Sequence, residues 1–321
     1  MPRRWATAPS QGRSTSTRPT VRGRRPNRSA KRSSTAPASD PPATLTDPGA
    51  MQVAARRWRR EGRTIGLVPT MGALHAGHLR LAEVACREND VVVVSIFVNP
   101  IQFAPGEDFE RYPRDPQRDA ALLGRAGIHA IYRPSVEVMY RAGAATRVRV
   151  DGVSELLEGV ARPGHFEGVA TVVTKLFAAV EPDRAYFGQK DAQQVAVVKR
   201  LGQDLDLGVD VRVVPTVREK DGLALSSRNA YLTRDERLAA AALSDALRQA
   251  ARAYAGGERR PDVLRGVLVE RLAAEPLARV DYAELVDSAG FRPPGMLAVL
   301  AVWIGKTRLI DNHDLSEPFP G

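Results

Sequence analysis

The stretch TIGLVPTMGALHAGHLRLA, residues 64–82, constrains the fold of this chain most. It joins an apolar run over residues 65–68, the turn residues Pro69 and Gly72, and a helical pattern that begins at residues 75–78. This order predicts a buried strand, a sharp turn through Pro69 and Gly72, and a helix. A helix that follows a parallel strand has its N-terminus at the carboxyl end of the sheet, where free backbone N–H groups favour phosphate. We therefore expect an α/β fold with a ligand site at this turn.

Two histidines, His75 and His78, lie at the mouth of the predicted site. Both imidazoles can donate hydrogen bonds to phosphate oxygens as charge builds at the α-phosphorus of a nucleotide, and Gly77, without a Cβ, lets a nucleotide approach the backbone. The alternatives are a zinc pair and two surface histidines. A zinc pair would need further ligands, and the only cysteine, Cys86, falls within the apolar helical pattern. The strand-turn-helix setting favours nucleotide chemistry.

The composition is that of a soluble globular protein. With 321 residues, 43% of them hydrophobic, the chain is long enough for two domains with ordinary cores. It has no run of about 18 apolar residues, so we expect no membrane-spanning helix and no membrane partner. The single cysteine excludes an internal disulfide framework and fits a reducing compartment, so we expect a cytoplasmic protein.

Most of the formal charge of +10 lies in a basic leader, residues 1–50. The leader holds ten basic and two acidic side chains, a net charge of +8, which leaves about +2 for the other 271 residues. It is rich in Arg, Ser, Thr and Pro and poor in large apolar side chains, so we expect it to be disordered. Three interpretations are open: an organellar transit segment, a nucleic-acid-contacting arm, or an extension ahead of a start near Met51. We favour the extension over nucleic-acid contact.

Further strand-to-helix passages predict a parallel sheet. The β-branched run over residues 91–98 is typical of a strand buried on both faces, and residues 128–132 predict another strand. Residues 185–187 predict a strand that ends in Gly188-Gln189-Lys190-Asp191 ahead of a helix. This is a second turn of the phosphate-binding type, with a lysine for phosphate charge and an aspartate able to hold Mg²⁺ or a ribose. The alternative is an exposed Lys–Asp ion pair.

Three other segments carry candidate site residues. Gln102, at the end of a predicted strand, can donate and accept hydrogen bonds, which suits a hydroxy acid or an amide, although the residues alone favour a role in its own loop. Arg162 and His165 belong to a glycine-rich segment and can face an anion. Residues 217–229 carry Ser-Ser-Arg at 226–228 on a Gly-hinged loop that can close over a triphosphate or else form a solvated turn.

The rest of the chain predicts a smaller α+β module. A capping box at Thr233 opens one long Ala/Leu-rich helix to about Tyr254, and a second helix begins at Pro261. Strand-like runs follow at residues 280–286 and 297–304.

These elements together predict the architecture. Residues 51–216 form a Rossmann-like parallel sheet with helices on both faces, and residues 217–321 form a smaller C-terminal α+β lid domain that can cover a nucleotide cleft. No Gly-x-x-x-x-Gly-Lys-Ser/Thr sequence occurs, so a P-loop does not hold the nucleotide.

Five blocks of sequence resemble the bacterial pantoate–β-alanine ligase (pantothenate synthetase) family, within the HIGH superfamily of nucleotidyl transferases. The likeness covers about residues 51–313, and five blocks in the same order make it specific. The blocks are PTMGALHAGH at 69–78, FVNPIQF at 97–103, RPGHF at 162–166, FGQKDAQQ at 187–194 and SSRN at 226–229.

The resemblance implies an ATP-dependent condensation of (R)-pantoate with β-alanine. The reaction passes through a pantoyl adenylate and releases pyrophosphate and then AMP. Mg²⁺ is implied as a cofactor and a homodimer as the assembly. The implied ATP-binding residues are Met71, Gly72, Ala73, Leu74, His75, Ala76, Gly77, His78, Gly188, Gln189, Lys190, Asp191, Val217, Leu225, Ser226, Ser227 and Arg228.

The resemblance also implies catalytic roles. His78 is the implied proton donor, and His75 joins it on the phosphates. Lys190 and Arg228 are the implied charge stabilisers, which fits the need for donors where negative charge develops in the transition state.

The substrate and metal positions follow in the same way. Gln102 and Gln194 are implied to hold pantoate, with Gln102 also serving β-alanine, and we expect Asp191 to hold the metal. Two positions depart from the family: Leu225 stands where Met is usual, and Gln189 where Glu is common. The Leu conserves volume and should preserve the adenine contact, whereas Gln189 removes one carboxylate near the phosphates.

A rival enzyme is another nucleotidyl transferase of the same superfamily, such as a pantetheine-phosphate adenylyltransferase. It would share the histidines but would not need the blocks around Gln102 and Gln194 or the C-terminal module.

Overall fold

The computed structural model describes residues 42–320, which belong to one compact unit. The predictions of disorder and of nucleic-acid contact for residues 1–41 lie outside this part of the chain. Among the described residues, no helix is long and apolar enough to cross a membrane.

The fold begins earlier than predicted. Residues 43–50, predicted as disordered, form strand β1 (Ala43–Leu45) and the start of helix α1 (Pro48–Arg60). Asp47 caps α1, because its side chain accepts the N–H of Ala50 at 2.9 Å. The disorder predicted for these residues is therefore wrong, since a cap and an edge-strand pairing order them.

Six parallel strands form the larger sheet, in the order β1-β4-β3-β2-β5-β6. Its central strands are rich in β-branched side chains that favour an extended backbone, and all six residues of β3 are buried. The strands after β1 are β2 (Ile65–Thr70), β3 (Val91–Ile96), β4 (Ala130–Tyr132), β5 (Arg184–Gly188) and β6 (Asp210–Val214).

Helices cover both faces of this sheet. Successive residues of a strand point to opposite faces, so Leu67 packs in a core with α1, α6 and α7, and Val68 packs in another core with α2 and α3. The helices after α1 are α2 (Ala76–Glu88), α3 (Pro116–Arg125), the short α4 (Val136–Met139) and α5 (Glu158–Ala161), α6 (His165–Val180) and α7 (Ala192–Asp204).

The strand order reverses between β2 and β5. From β2 the chain moves outward to β3 and β4 and returns to the other side of β2 with β5. At such a switch point the connections diverge and open a crevice at the carboxyl ends of the strands, where open α/β sheets bind ligands. Both predicted phosphate-type turns follow these two strands, so the topology brings them together.

Pro69, predicted in the turn, lies instead in β2, which runs to Thr70. The pairing of β2 with β5 extends only to Leu67, so the N–H that Pro69 lacks removes no ladder bond on that side. The sharp turn therefore begins at Met71, directly after the strand.

A smaller antiparallel sheet, in the order β7-β8-β9, forms the C-terminal part. Leu243 and Leu247 pack with Leu264 and Leu268 in the core that covers it. The elements are α8 (Arg234–Ala239), α9 (Ala241–Ala255), α10 (Pro261–Ala273), β7 (Ala278–Val286), β8 (Leu297–Ile304) and β9 (Thr307–Asp314).

Two C-terminal details differ from the predictions. The single long helix is wrong, because a turn at Ala240 divides it into α8 and α9, although the capping box at Thr233 is present. Strand β9 was not predicted, since the polar residues Asp311, Asn312 and His313 interrupt its apolar pattern. All three side chains are nevertheless buried.

The two sheets confirm the predicted α/β class with a smaller α+β part. The division into domains at residue 217 stays a prediction.

Candidate active site

A cavity of about 240 Å³ opens at the switch point between β2 and β5. Four of the segments that line it are the histidine turn (residues 70–78), the loop after β3 (residues 97–112), the lysine turn (residues 188–191) and the flap (residues 217–229).

Most of the predicted site residues line this cavity. Those that do are Met71, His75, Gly77, His78, Gln102, Gly188, Lys190, Asp191, Gln194, Val217, Leu225, Ser226, Ser227 and Arg228. Five predicted ATP contacts are not among the lining residues: Gly72, Ala73, Leu74, Ala76 and Gln189.

A buried carboxylate holds the histidine turn. Asp119, in α3, accepts the N–H groups of Ala73 and Leu74, both at 2.9 Å, and is 1% exposed. The turn needs left-handed backbone, with φ of +82° at Gly72 and +50° at Ala73. Two N–H groups of the predicted ATP site are thus already bonded to Asp119, and these residues shape the turn rather than face the cavity.

His75 caps helix α2, and His78 bonds back to His75. Nδ1 of His75 accepts the N–H of Gly77 at 3.1 Å, and Nδ1 of His78 accepts the N–H of His75 at 3.4 Å. A neutral imidazole that accepts at Nδ1 carries its proton on Nε2, so each ring keeps one N–H donor for a ligand. A Cβ at Gly77 would lie 2.9 Å from Cε1 of His75, so this glycine makes room for the imidazole itself.

Both histidines are neutral at physiological pH. Burial, with the neighbouring His75 as the second cause, lowers the pKa of His78 to about 3. Burial and the charge of Lys190 lower the pKa of His75. The ring centroids lie 4.1 Å apart at the N-terminus of α2, whose partial positive charge favours phosphate. His78 therefore presents a neutral N–H donor rather than an imidazolium.

The lysine turn places a cation and a carboxylate on the cavity wall. Lys190 Nζ lies 3.6 Å from Asp191 Oδ1, and the Lys190 side chain is only 19% exposed. Burial raises the pKa of Asp191, but the opposing contributions together, led by the charges of Lys190 and Arg228, outweigh burial and keep that pKa below its usual range. The Asp191 side chain is 48% exposed, so the pair is a charged part of the cavity wall that solvent still reaches on the carboxylate side.

In the described part of the chain, no group of three or more His, Cys, Asp or Glu side chains could hold a metal ion. Mg²⁺ does not need such a cage, because it keeps several waters and binds through one or two carboxylates together with substrate phosphates. Asp191 is an ionised carboxylate of this kind, so the residues present fit Mg²⁺ in the company of a phosphate ligand.

The flap reaches the cavity after β6. The two sides of this loop are joined by a hydrogen bond from the Leu225 N–H to the Val217 carbonyl at 2.9 Å. Ser226 Oγ accepts the N–H of Arg228 at 3.3 Å. The Arg228 guanidinium donates to Asp108 through Nε at 3.2 Å and Nη2 at 2.9 Å. This two-point pair fixes Arg228 at the cavity, and no motif in the sequence indicated the partner.

Gln102 serves its own loop and also lines the cavity. Its Oε1 accepts from Asn99 Nδ2 at 3.0 Å, and Asn99 Oδ1 accepts from the Tyr140 hydroxyl at 2.7 Å. Gln102 Nε2 lies 3.3 Å from Met71 Sδ. The role in the loop therefore does not exclude a role toward a ligand. Asn99 was missed, because an Asn before a Pro at a strand end has the pattern of an ordinary turn.

Arg162 and His165 line the same cavity and are bonded to each other. Arg162 donates to Glu107 through Nε and Nη2, both at 2.8 Å, and its Nη1 lies 3.1 Å from His165 Nε2. His165 Nδ1 lies 2.9 Å from the Gln102 carbonyl. Burial, and next the charge of Arg162, lowers the pKa of His165 to about 4. A neutral ring with its proton on Nδ1 satisfies both contacts.

An apolar wall completes the cavity. Val169, Val172 and Leu176 of α6 line one side, and Tyr112 of the loop after β3 and Thr70 at the end of β2 line it as well. The helical spacing of the first three indicates only a buried helix face. Tyr112 belongs to no motif, and Thr70 lies in the block at 69–78 but was not among its predicted site residues. The sequence therefore did not single them out.

The fold and the cavity define a class of protein. A parallel α/β sheet with two phosphate-type turns at its switch point, two neutral imidazole donors, a lysine and an arginine is typical of enzymes that transfer nucleotidyl groups.

The profile of the pantoate-beta-alanine ligase family matches residues 43–314, and the chain belongs to this family. The match begins at β1, eight residues before the likeness found in the motifs. Membership confirms the predicted enzyme class, a ligase that uses ATP to condense pantoate with β-alanine.

Individual relatives agree. The pantothenate synthetase of Moorella thermoacetica is 53% identical over 259 residues, 79% of this chain and 92% of that protein. The pantothenate synthetase of Thermus thermophilus has a crystal structure with a TM-score of 0.81 and 46% identity, covering 85% of this chain and 99% of that chain. The pantoate-beta-alanine ligase of Francisella tularensis, solved in complex with beta-gamma ATP and beta-alanine, has a TM-score of 0.73 and 34% identity over 87% of this chain and 100% of that chain.

Proposed function

We propose that this cavity joins (R)-pantoate to β-alanine in two steps. In the first step, a carboxylate oxygen of pantoate attacks the α-phosphorus of ATP, the bond to the bridging oxygen breaks, and pyrophosphate leaves. In the second step, the amine of β-alanine attacks the acyl carbon of the pantoyl adenylate, the acyl C–O bond breaks, and AMP leaves with release of the amine proton. Adenylation is needed because an unactivated carboxylate is a poor electrophile.

One observation carries the proposal: the histidine turn, the lysine turn, the flap and Gln102 meet at a single cavity. Displacement at phosphorus needs little covalent help from a protein, so catalysis depends on positioning and on donors where charge develops. The histidine turn, the lysine turn and the flap supply such donors. Gln102 supplies an amide that can bind the attacking acid.

The histidines are proposed to bind phosphate oxygens as neutral donors. Nε2 carries the proton in both rings, because each Nδ1 accepts a backbone N–H. The low pKa of His78 leaves it no proton to transfer as an imidazolium near neutral pH. We therefore refine the implied role of His78, from proton donor to hydrogen-bond donor that strengthens as the transition state gains charge.

Lys190 and Arg228 are proposed to stabilise the charge on the phosphates. Lys190 provides a point charge beside the histidines, and Arg228 provides a planar fork. Asp108 accepts from Nε and Nη2 of that guanidinium, and since a guanidinium has five N–H donors, others, those of Nη1 among them, serve the phosphate oxygens. The remaining lining residues of the lysine turn and the flap complete the ATP site: Gly188, Asp191, Val217, Leu225, Ser226 and Ser227.

Pantoate is proposed to lie between the amides and the apolar wall. Gln102 and Gln194 both line the cavity and can bond the hydroxyl and carboxylate groups of the acid. The side chains of Val169, Val172 and Leu176 offer an apolar surface for its dimethyl carbon. β-Alanine then meets the acyl carbon on the Gln102 side.

Mg²⁺ is proposed to bind through Asp191 together with the phosphates of ATP. When bound, it supplies further positive charge to the departing pyrophosphate. Chelation with EDTA is expected to abolish pyrophosphate release, and added Mg²⁺ is expected to restore it. Asp191→Asn is expected to raise the Mg²⁺ concentration required for half-maximal rate. Unchanged Mg²⁺ dependence in that variant would remove Asp191 from the metal site.

We also propose a cytoplasmic homodimer whose residues 217–321 act as a lid domain. The cytoplasmic location is supported by the single free cysteine, Cys86. The homodimer rests on the family resemblance, and sedimentation equilibrium of the purified protein tests it.

The experiment that tests the reaction measures pyrophosphate and AMP while ATP, Mg²⁺, pantoate and β-alanine are omitted one at a time. Pyrophosphate release is expected to depend on pantoate, and rapid AMP release on β-alanine as well. Phosphopantetheine in place of pantoate is expected to give no pyrophosphate. Pyrophosphate release with phosphopantetheine, and none with pantoate, would support the rival adenylyltransferase instead.

A further inference from the structure

Asn312, in strand β9 of the C-terminal sheet, bonds the backbone of the lysine turn. Its Nδ2 donates to the carbonyl of Gln189 at 2.9 Å and to the carbonyl of Lys190 at 2.8 Å. Asn312 is 3% exposed, and its side-chain orientation is set, because only the NH₂ end of the amide can donate to two carbonyls. One side chain therefore fixes two successive peptide groups. The Cα of Lys190, which carries the lysine side chain, lies between these two groups.

The residue before Asn312 bonds a second segment of the site. Asp311 accepts from Arg218 at 2.6 Å and 3.0 Å, and both side chains are nearly buried, at 9% exposed for Arg218 and none for Asp311. Arg218 stands at the base of the flap. Asp311 Oδ1 also accepts the N–H of Asn312 at 2.8 Å, so the two contacts form one connected network.

We propose that Asn312 is a positioning residue for Lys190, through which the C-terminal sheet fixes the lysine turn. The inference rests on the proposed function, in which Lys190 stabilises charge on the phosphates. It goes beyond that function, because it makes β9 part of the framework of the nucleotide site and not only of a cover. Misplacing a catalytic group by about 1 Å is enough to cost a large factor in rate, about 100-fold.

A double-mutant cycle tests the proposal. Pantoyl adenylate formation is measured in single turnover, with saturating ATP and pantoate, for wild type, Lys190→Ala, Asn312→Ala and the double variant. If Asn312 acts through Lys190, Asn312→Ala slows the step about 10- to 100-fold, while the pantoate concentration for half-maximal single-turnover rate, measured at varied pantoate, changes little. The double variant is then no slower than Lys190→Ala, because without the lysine ammonium group the loss of Asn312 has no catalytic group to displace.

His313→Ala is the matched control. His313 is the next residue of β9 and is 5% exposed, but its Nε2 bonds the Glu317 carbonyl of the C-terminal segment rather than the lysine turn. It is expected to lower the unfolding temperature while the adenylation rate stays within about threefold of wild type. Far-UV circular dichroism at the assay temperature shows that each variant is folded.

The outcomes separate the inference from the function on which it rests. If Lys190→Ala is slow but Asn312→Ala matches His313→Ala, or if the two losses multiply in the double variant, the positioning role is overturned and the proposed function stands. If Lys190→Ala is as fast as wild type, the role of Lys190 is overturned, and the inference about Asn312 with it.

Discussion

Asp108 accepts two hydrogen bonds from Arg228, at 3.2 Å from Nε and 2.9 Å from Nη2, across 120 residues of sequence. The pair joins the loop after β3 to the flap and holds the guanidinium at the cavity. A group that is already in place loses less conformational freedom when a ligand binds.

Asp108→Asn is therefore expected to raise the KM for ATP several-fold with a smaller effect on kcat, because the flap must then order Arg228 during binding. Steady-state kinetics with varied ATP measure this. Asp115→Asn, in the cap of α3 outside the cavity lining, is the control and should leave the KM unchanged. A lower KM in Asp108→Asn would mean instead that the carboxylate competes with phosphate for Arg228.

His78→Ala is expected to slow pantoyl adenylate formation by about 100- to 1,000-fold, the loss usual for one donor to a developing oxyanion. The fold should survive, because the N–H of His75 can bond water instead. His129→Ala is the control: His129 accepts the N–H of Val92 at 3.1 Å and is not among the cavity-lining residues. Near-normal turnover in His78→Ala, measured as pyrophosphate release, would remove His78 from catalysis.

The stability of the protein should fall as the pH drops below 6.5. The pKa of His78 is about 3 in the folded protein, against an ordinary value of 6.5, with burial the main cause. Between these values the unfolded chain binds a proton that the folded chain does not, so unfolding becomes easier as pH decreases, by up to about 1.4 kcal/mol per pH unit for one such group. The pKa values of the other four histidines are also lowered: those of His75, His129, His165 and His313.

Urea unfolding at pH 7, 6 and 5 measures this dependence. His78→Gln removes one such group, so its free energy of unfolding should decrease less steeply with falling pH than that of wild type. Equal slopes would show that His78 takes up a proton in the folded protein as readily as in the unfolded chain.

Asp119→Ala is expected to destabilise the protein by about 2–3 kcal/mol, since it leaves two backbone N–H groups of the histidine turn without their acceptor. The KM for ATP should rise as well, because Ala73 and Leu74 precede the cap of α2. Chemical denaturation and steady-state kinetics measure the two effects. A loss of stability below about 0.5 kcal/mol would show that the turn does not need this carboxylate.

Gly168→Ala is expected to raise the KM for pantoate about tenfold or more, because it displaces the backbone of the Gln102 loop. A Cβ at Gly168 would lie 2.5 Å from the Ile101 carbonyl oxygen and 2.6 Å from Gln102 Cα. Gly202→Ala in α7 is the matched control, with no atom within 4 Å of the added Cβ. It should keep wild-type kinetics and gain up to about 1 kcal/mol of stability. Equal kinetics in the two variants would contradict the packing argument.

The sequence predicted those parts of the site that depend on neighbouring residues. The histidine turn and the lysine turn each follow a short apolar strand and precede a helix, so local pattern alone indicated both. Their meeting at one crevice follows from the parallel topology, which a run of strand-helix units also predicts.

The parts that were missed depend on residues far apart in the chain. Asp119 bonds Leu74 across 45 residues, and Asn312 bonds Lys190 across 122 residues. Nothing in the local sequence distinguishes these two side chains from other polar residues. Tertiary packing also sets the protonation state of His78. Its low pKa comes from burial, and the sequence of residues 75–78 does not show how deeply the ring is buried.

The cavity is proposed to transfer the adenylyl group of ATP to the pantoate carboxylate. Pantoate labelled with ¹⁸O in its carboxylate tests it most directly, with the products analysed by mass spectrometry. Because the acyl C–O bond breaks in the second step, one ¹⁸O atom is expected in the phosphate of AMP and none in pyrophosphate. Unlabelled AMP, with the ¹⁸O in pyrophosphate or inorganic phosphate instead, would rule out adenylation of the carboxylate.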